Sequence, residues 1–373
     1  MNISTLVGLK NNLDYSKAFY KRFREVYPKE ELCFVSYGST DGTHEWLDSL
    51  QDSNLKYFYS KDSKTFSETF NTCAEIATKE YIIFCHNDIV VCRGYLENVE
   101  KHLEVDTVVT YTTIEPPIFA GHGRPGKIIR DYGSDFSDLE LQALGEYASE
   151  LCREVEDQFV EGATFFMAQH RANYLAIGGM DKLFNPMFCE DDDLIRRLSL
   201  QGKKFIVSLD SLVYHFVSKT SRFSEEYKNT TALIEEKSNR NFIRKWGSRR
   251  ESPRYNISIR VFNATEALLR VLEPWCDTIY VDLLQEKIDS YIQQEQPNTA
   301  YDLKERIVDK AGADTTVRID GKTFDAQDFQ HIQMLPDILK ENQAIGKFKL
   351  GNIELTVERL IEYQDQLINL THG

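Results

Sequence analysis

The chain has 373 residues, of which 42% are hydrophobic and 28% charged, and its net charge is −15. This composition is ordinary for a globular protein, which sets disorder aside, and the length suffices for two or three cores. The acidity excludes a surface that binds nucleic acid throughout, and no apolar run approaches the ~20 residues that a membrane span needs.

The start, Met1-Asn2-Ile3-Ser4-Thr5-Leu6-Val7, lacks a basic stretch and a long apolar run. It reads as a first strand, not a signal peptide. The 7 cysteines are scattered and form no CxxC pair. Reduced thiols in a cytoplasm are the expectation.

In chain order, residues 6–9 read as a strand, and Tyr15, Phe19, Phe23, Val26 and Tyr27 recur at helical spacing until Pro28 closes the helix. Residues 32–35 form the next strand, followed by a Gly-rich turn and a short helix holding Trp46, Leu47 and Leu50. A third strand at 56–59, a helix face of Phe66, Phe70, Ala74 and Ala77, and a strongly apolar strand at 81–85 complete the alternation. Strand and helix in this order predict an α/β fold with a mostly parallel sheet covered on both faces. Ligands of such sheets sit beyond the carboxyl ends of the strands. The polar motifs fall at those ends.

Between residues 113 and 150 the pattern breaks. Pro116, Pro117, Gly121, Gly123, Pro125 and Gly126 mark a loop, and an acidic helical stretch follows. Strand-like runs return at 159–168, 205–209 and 212–214. Beyond Gly247, helices near 265–272, 282–294 and 357–370 are expected around a hairpin of 315–319 and 322–324 that turns at Asp320-Gly321. This divides the chain into a domain of 1–250 and a mainly helical α+β domain of 251–373. No internal repeat is visible.

Three motifs could carry chemistry. Glu190-Asp191-Asp192-Asp193 directly precedes Leu194-Ile195-Arg196-Arg197-Leu198. Four acids at a helix start stabilise its positive end without any reaction. In a cleft, however, they raise one another's pKa, and one of them poised as a proton acceptor suits transfer to a hydroxyl. His86-Asn87-Asp88 follows the apolar strand 81–85, where a carboxylate suits a divalent metal on phosphate oxygens, although an ordinary turn has the same composition. His215 ends another strand, and its value depends on meeting Asp88 in space. Gly38-Ser39-Thr40-Asp41-Gly42-Thr43 allows close backbone approach and capping of the next helix.

Two features are weighed differently. Residues 121–127 fit the spacing G-x-x-x-x-G-K, but Ile128 replaces the Ser or Thr that would hold Mg²⁺, so a mobile lid is the better reading. The stretch Lys237, Arg240, Arg244, Lys245, Arg249, Arg250 and Arg254 holds one acid, Glu251. Such runs usually form a solvated face, while contact with a DNA backbone is the functional alternative.

Taken in order, these pieces resemble the family 2 glycosyltransferases of GT-A fold over residues 3–247. The matching residues are Lys10-Asn11-Asn12; Ser36 and Tyr37 with the G-S-T-D-G-T run; His86-Asn87-Asp88 at the place of D-x-D; Gly162; Ile177-Gly178-Gly179-Met180-Asp181 with Glu190-Asp191-Asp192-Asp193; His215; and the run from Asn241 to Gly247. Ser36 and Tyr37 replace the acids that contact the donor's base and ribose. His86 replaces the first acid of D-x-D. The Q-x-x-R-W motif of processive synthases is absent.

The resemblance implies a soluble, non-processive, inverting transferase that moves one sugar from a nucleotide sugar, with a UDP-sugar as the expected donor. By that resemblance Asp191 is the base, and Glu190 holds the acceptor or orients Asp191. Asp88, His215 and His86 hold Mn²⁺ or Mg²⁺. Leu9, Asn11, Ser36, Tyr37, Ser39, Asp41, Asn71 and Asn87 face the donor, and Gly162 and Asp193 face the acceptor. The acceptor is a glycan, a protein or a modified DNA base. The region after 250 either recognises it or mediates self-association. Two alternatives stand: a nucleotide-sugar-binding module without catalysis, and a nucleotidyltransferase, whose Gly- and Arg-rich loop after the first strand is lacking.

Overall fold

The computed structural model describes all residues but 122, 220, 221, 223, 225 and 371–373. The chain divides into two compact units, residues 1–232 with 369–373, and residues 233–368. Among the described residues, no helix is long and apolar enough to cross a membrane.

The first unit alternates as its hydrophobic pattern requires. Its elements are β1 (Ile3–Leu9), α1 (Leu13–Val26), β2 (Glu31–Tyr37), α2 (Thr43–Ser49), β3 (Leu55–Ser60), α3 (Phe66–Ile76), β4 (Tyr81–Cys85), β5 (Ile89–Val91) and α4 (Tyr95–Glu100). There follow β6 (Thr107–Glu115), β7 (Lys127–Ile129), α5 (Leu141–Glu154), β8 (Phe159–Glu161), β9 (Met167–His170), α6 (Arg171–Ala176), α7 (Glu190–Leu200) and β10 (Lys204–His215). Strands β1, β2 and β4 are buried along nearly their whole length, as strands covered on both faces must be.

One sheet runs β3-β2-β1-β4-β9-β6-β10-β5, with β7 beside β6 and β8 beside β10. Strands β3, β2, β1 and β4 are mutually parallel. Strand β9 is antiparallel to both β4 and β6, and β10 is parallel to β6. Two reversals restore the direction, so β6 and β10 run the same way as β4. The carboxyl ends of β1, β2, β4, β6 and β10 therefore all open on one edge of the sheet. The expected α/β architecture, a mostly parallel sheet flanked by helices, is what the chain forms.

Local expectations needed revision. The run 159–168 splits into β8 and β9, which pair with different partners, while 205–209 and 212–214 join as β10 through an irregularity between Ser208 and Leu212.

The second unit comprises α8 (Thr231–Trp246), β11 (Ile257–Phe262), α9 (Glu266–Leu272), β12 (Thr278–Val281), α10 (Gln285–Glu295), α11 (Leu303–Arg306), β13 (Thr315–Asp320), α12 (Ala326–Asn342), β14 (Gly346–Leu350) and β15 (Ile353–Val357). Its sheet runs β12-β11-β13-β15-β14 around a core that includes Ile259, Leu269, Ile279, Val317 and Leu335. The expected hairpin is absent. Strand β13 pairs in parallel with β11, and the turn after Asp320 leads into the capping box of α12 at Asp325. No α-helix spans 357–370: Val357 closes β15 against β13, and Gln364–Leu367 forms a single 3-10 turn.

Much of the basic stretch faces inward. Arg244, Lys245 and Arg254 are buried. Arg244 pairs with Glu273 and Glu295, Arg240 with Glu295, and Arg254 with Asp277.

Candidate active site

Strand β4 is apolar because it crosses the core, and the first side chains past it are polar because the chain there leaves the sheet. His86 and Asp88 stand at that exit, and His215 ends β10 nearby. Asp88 Oδ1 lies 3.8 Å from His86 Nδ1 and 3.5 Å from His215 Nε2. The three side chains bring ligand atoms within 4.8 Å of one another. Asn87, whose Nδ2 donates to Ser16 Oγ at 3.0 Å, pins the turn to α1. The Lys219 backbone N–H donates to Asp88 Oδ2 at 2.9 Å, which leaves Oδ1 toward the histidines.

Asp88 Oδ1, His215 Nε2 and His86 Nε2 are buried without a hydrogen-bond partner. Unsatisfied polar atoms in a dry site are costly, and a cation held between Asp88 Oδ1 and His215 Nε2 would relieve that cost for these two atoms. One carboxylate and two imidazoles make a donor set suited to a borderline divalent metal. These residues fit such an ion.

The charges of the cluster act on one another. Burial lowers His86, whose imidazole is held down at about 4 and so stays neutral. Burial also opposes charge on His215, but Asp88 and then Glu115 outweigh it and push His215 up to about 9. Burial opposes the charge of Asp88 too, yet His215 chiefly, then His86, hold its carboxyl down at about 2. The ring of His86 stacks on Phe165 at 4.4 Å and meets Phe166 edge-on at 5.4 Å, which keeps water from that side.

Glu115 belongs to this site although the sequence reading passed over it. It ends β6, and its Oε1 lies 3.3 Å from His215 Nδ1. Burial works against its charge, but the hydrogen bond with His215 and the nearby Arg124 hold it at about 2. The overlooked signal was available: a single acid closing a long β-branched run, Thr107 to Ile114, just before Pro116-Pro117.

The residues expected to face the donor divide into two groups. Leu9 and Tyr37 line a cleft of about 80 Å³ together with Lys10, Lys64, His86 and Met187. Asn11 and Asp41 border a larger cavity of about 630 Å³ with Tyr15, Asp135 and Phe136. Both of those residues also shape the backbone. Asn11 Oδ1 accepts from the Thr40 N–H, and Asp41 accepts from the N–H groups of Leu13 and Thr43. Ser39 Oγ accepts from the Asn11 N–H and meets Ser36 Oγ at 2.8 Å. Ser36 is fully buried and also bonds His44 Nε2. Asn71 exchanges hydrogen bonds with both backbone groups of Met180, so its amide ties α3 to the Gly178-Gly179 turn.

The acids of α7 take separate places. Glu190 is buried, its Oε2 has no hydrogen-bond partner, and burial followed by Asp191 raises its carboxyl well above the usual range. Asp191 is partly exposed, and its Oδ1 accepts from the Asp192 N–H at 2.9 Å. Asp193 is wholly buried against Arg197 at 2.8 Å, and Arg197 donates onward to the carbonyls of Ile177 and Gly179. Gly162 sits where a Cβ would strike Pro125 and Val207. Pro186 and Met187 line the cleft that contains His86, and the chain runs from them directly into α7.

Residues 4–147 match the model of glycosyl transferase family 2. The resemblance read from the sequence thus holds over that segment, which is less than half of the chain. No curated protein sequence matches the chain. Among solved structures, GalNAc-T7 with UDP, GalNAc and Mn²⁺ is similar at 13% identity and a TM-score of 0.43, over 57% of this chain and 42% of that one. The mannosyltransferase PcManGT from Pyrobaculum calidifontis with GDP-Man and Mn²⁺ is similar at 16% identity and a TM-score of 0.43, over 64% and 63%. S. aureus TarS 1–349 with UDP is similar at 11% identity and a TM-score of 0.43, over 94% and 95%. The chain thus spans less than two thirds of the first two. Likenesses of this level assign no donor, acceptor or residue.

Proposed function

We propose that the chain is a metal-dependent, inverting glycosyltransferase that moves one sugar from a nucleotide-sugar donor to an acceptor hydroxyl. The observation that carries this reading is the His86–Asp88–His215 cluster at the carboxyl edge of a mostly parallel sheet, with His86 and Asp88 inside the segment that matches family 2. Diphosphate oxygens are the natural partners of a cation held there.

In this reading Leu9, Asn11 and Tyr37 border the donor, while Ser36, Ser39, Asp41, Asn71 and Asn87 shape the walls around it. Asp191, the partly exposed acid of α7, takes the proton from the acceptor hydroxyl as that oxygen attacks the anomeric carbon. The bond from that carbon to the diphosphate oxygen breaks, and its electron pair leaves with the nucleotide. Asp88, His215 and His86 would hold a Mn²⁺ or Mg²⁺ ion, which would neutralise charge on the leaving diphosphate. Glu190, whose carboxyl burial raises, holds the acceptor or orients Asp191. Gly162 and Asp193 shape the acceptor side, Asp193 through Arg197 and the 177–179 turn.

A thermal-shift screen of UDP-, GDP- and other nucleotide sugars, with and without Mn²⁺, tests this directly. Stabilisation by one donor that requires the metal, followed by turnover of that donor, is the expected result. A donor that stabilises the protein but is never turned over with any acceptor would instead favour a binding module.

A further inference from the structure

Glu115 is 4% exposed and serves two sides at once. On one side its Oε1 faces His215 Nδ1 at 3.3 Å. The same Oε1 accepts from Arg124 Nη2 at 2.6 Å and from Thr113 Oγ1 at 2.7 Å, and on the other side Oε2 lies 3.5 Å from Lys127 Nζ. Both cations belong to the segment that follows β6. Lys127 donates to the Phe119 carbonyl at 2.7 Å and so closes that segment on itself. Arg124 also lies over the ring of Phe166, 5.5 Å from its centroid, and that ring meets His215 edge-on at 5.0 Å.

A histidine gives a lone pair to a metal when its other ring nitrogen keeps the proton and the ring is held still. A carboxylate at that second nitrogen does both. With the Nδ1 proton shared with Glu115, it is Nε2, 3.5 Å from Asp88 Oδ1, that would give up its proton and offer a lone pair to a cation held beside that oxygen.

We propose that Glu115 is a positioning residue that sets His215 for a divalent cation and couples that cation to the segment carrying Arg124 and Lys127. This rests on the reading of His86, Asp88 and His215 as a metal site. The coupling runs both ways: whatever cation binding gains from a fixed Glu115, the segment gains in order.

The test uses the full chain and Mn²⁺ alone, with free Mn²⁺ read by electron paramagnetic resonance. Glu115→Gln should bind Mn²⁺ about 10–100-fold more weakly than the unmodified protein. Glu115→Asp, which keeps the charge, should fall between them. Hydrogen exchange across residues 116–129 should slow on adding Mn²⁺ to the unmodified protein and respond much less in Glu115→Gln. Arg124→Ala should weaken that response and, by the same linkage, weaken Mn²⁺ binding by a few-fold. This second variant decides the question should Glu115→Gln fold poorly. A Glu115→Gln protein that melts lower but keeps both its Mn²⁺ affinity and its exchange response overturns the proposal. If instead Asp88→Asn binds Mn²⁺ as well as the unmodified protein, the metal site itself is refuted, and this inference falls with it.

Discussion

At the scale of single residues, the site separates groups that meet reactants from groups that hold the walls. In the α7 tetrad Asp191 is partly exposed and Asp192 exposed, whereas Glu190 and Asp193 are buried. Asp191→Asn keeps the shape and removes the base. Transfer should fall by about 10²–10⁴-fold, while donor-induced stabilisation in a thermal-shift assay stays near that of the unmodified protein. Wild-type turnover in this variant would remove Asp191 from the mechanism. Asp88 makes a different prediction, because both histidines converge on its Oδ1. Asp88→Asn should abolish any Mn²⁺-dependent shift in melting temperature with or without a donor, and titration calorimetry would read the loss directly.

At the scale of elements, the turn between α6 and α7 is held from two directions. Arg197, paired with Asp193 inside α7, donates to the carbonyls of Ile177 and Gly179, and Asn71 of α3 bonds both backbone groups of Met180. Gly179 has φ 70°, and a Cβ there would run into the Asn71 amide. Gly179→Ala therefore combines a left-handed backbone with a clash, and should cost about 1–3 kcal/mol in urea unfolding. Because this turn leads toward α7, the variant should also raise KM for the acceptor. An unchanged unfolding midpoint would show that the turn relaxes freely.

At the scale of the whole molecule, the second unit rests on a buried ion network. Glu273 accepts hydrogen bonds from Arg244, Arg306 and Tyr291, and Glu295 accepts from Arg240 and Arg244. Burial opposes the charge of Glu273, but the Arg244 hydrogen bond chiefly, then Arg306, hold its carboxyl at about 2. An unfolded glutamate titrates near ~4.3. The folded value lies below the unfolded one, so this stabilisation is complete above about pH 4.3 and disappears as the pH falls toward 2. Unfolding of the second unit, followed by the Trp246 and Trp275 fluorescence of that unit, should show this acid slope, and Glu273→Gln should flatten it. Arg244→Met leaves a buried carboxylate short of its partner, which typically costs about 3–5 kcal/mol.

The alternation of apolar runs and amphipathic segments was enough to determine the α/β class, because buried parallel strands must be apolar throughout and their helices must be two-faced. It also placed the polar clusters at strand ends, since a chain that leaves a core becomes polar where it meets water. The strands of the second unit were less legible. Runs such as Ile257–Phe262 and Ile353–Val357 are short, and partners distant in sequence, as in Ser258↔Thr316 and Thr315↔Val357, make them strands. Only the tertiary structure decided which strand ends share an edge. The two reversals around β9 bring Glu115 and His215 to the exit of β4, which no local spacing records. Burial was equally out of reach of the sequence. A run of cations reads the same whether water or Glu273 receives it, and only packing turned Arg244 and Arg254 inward.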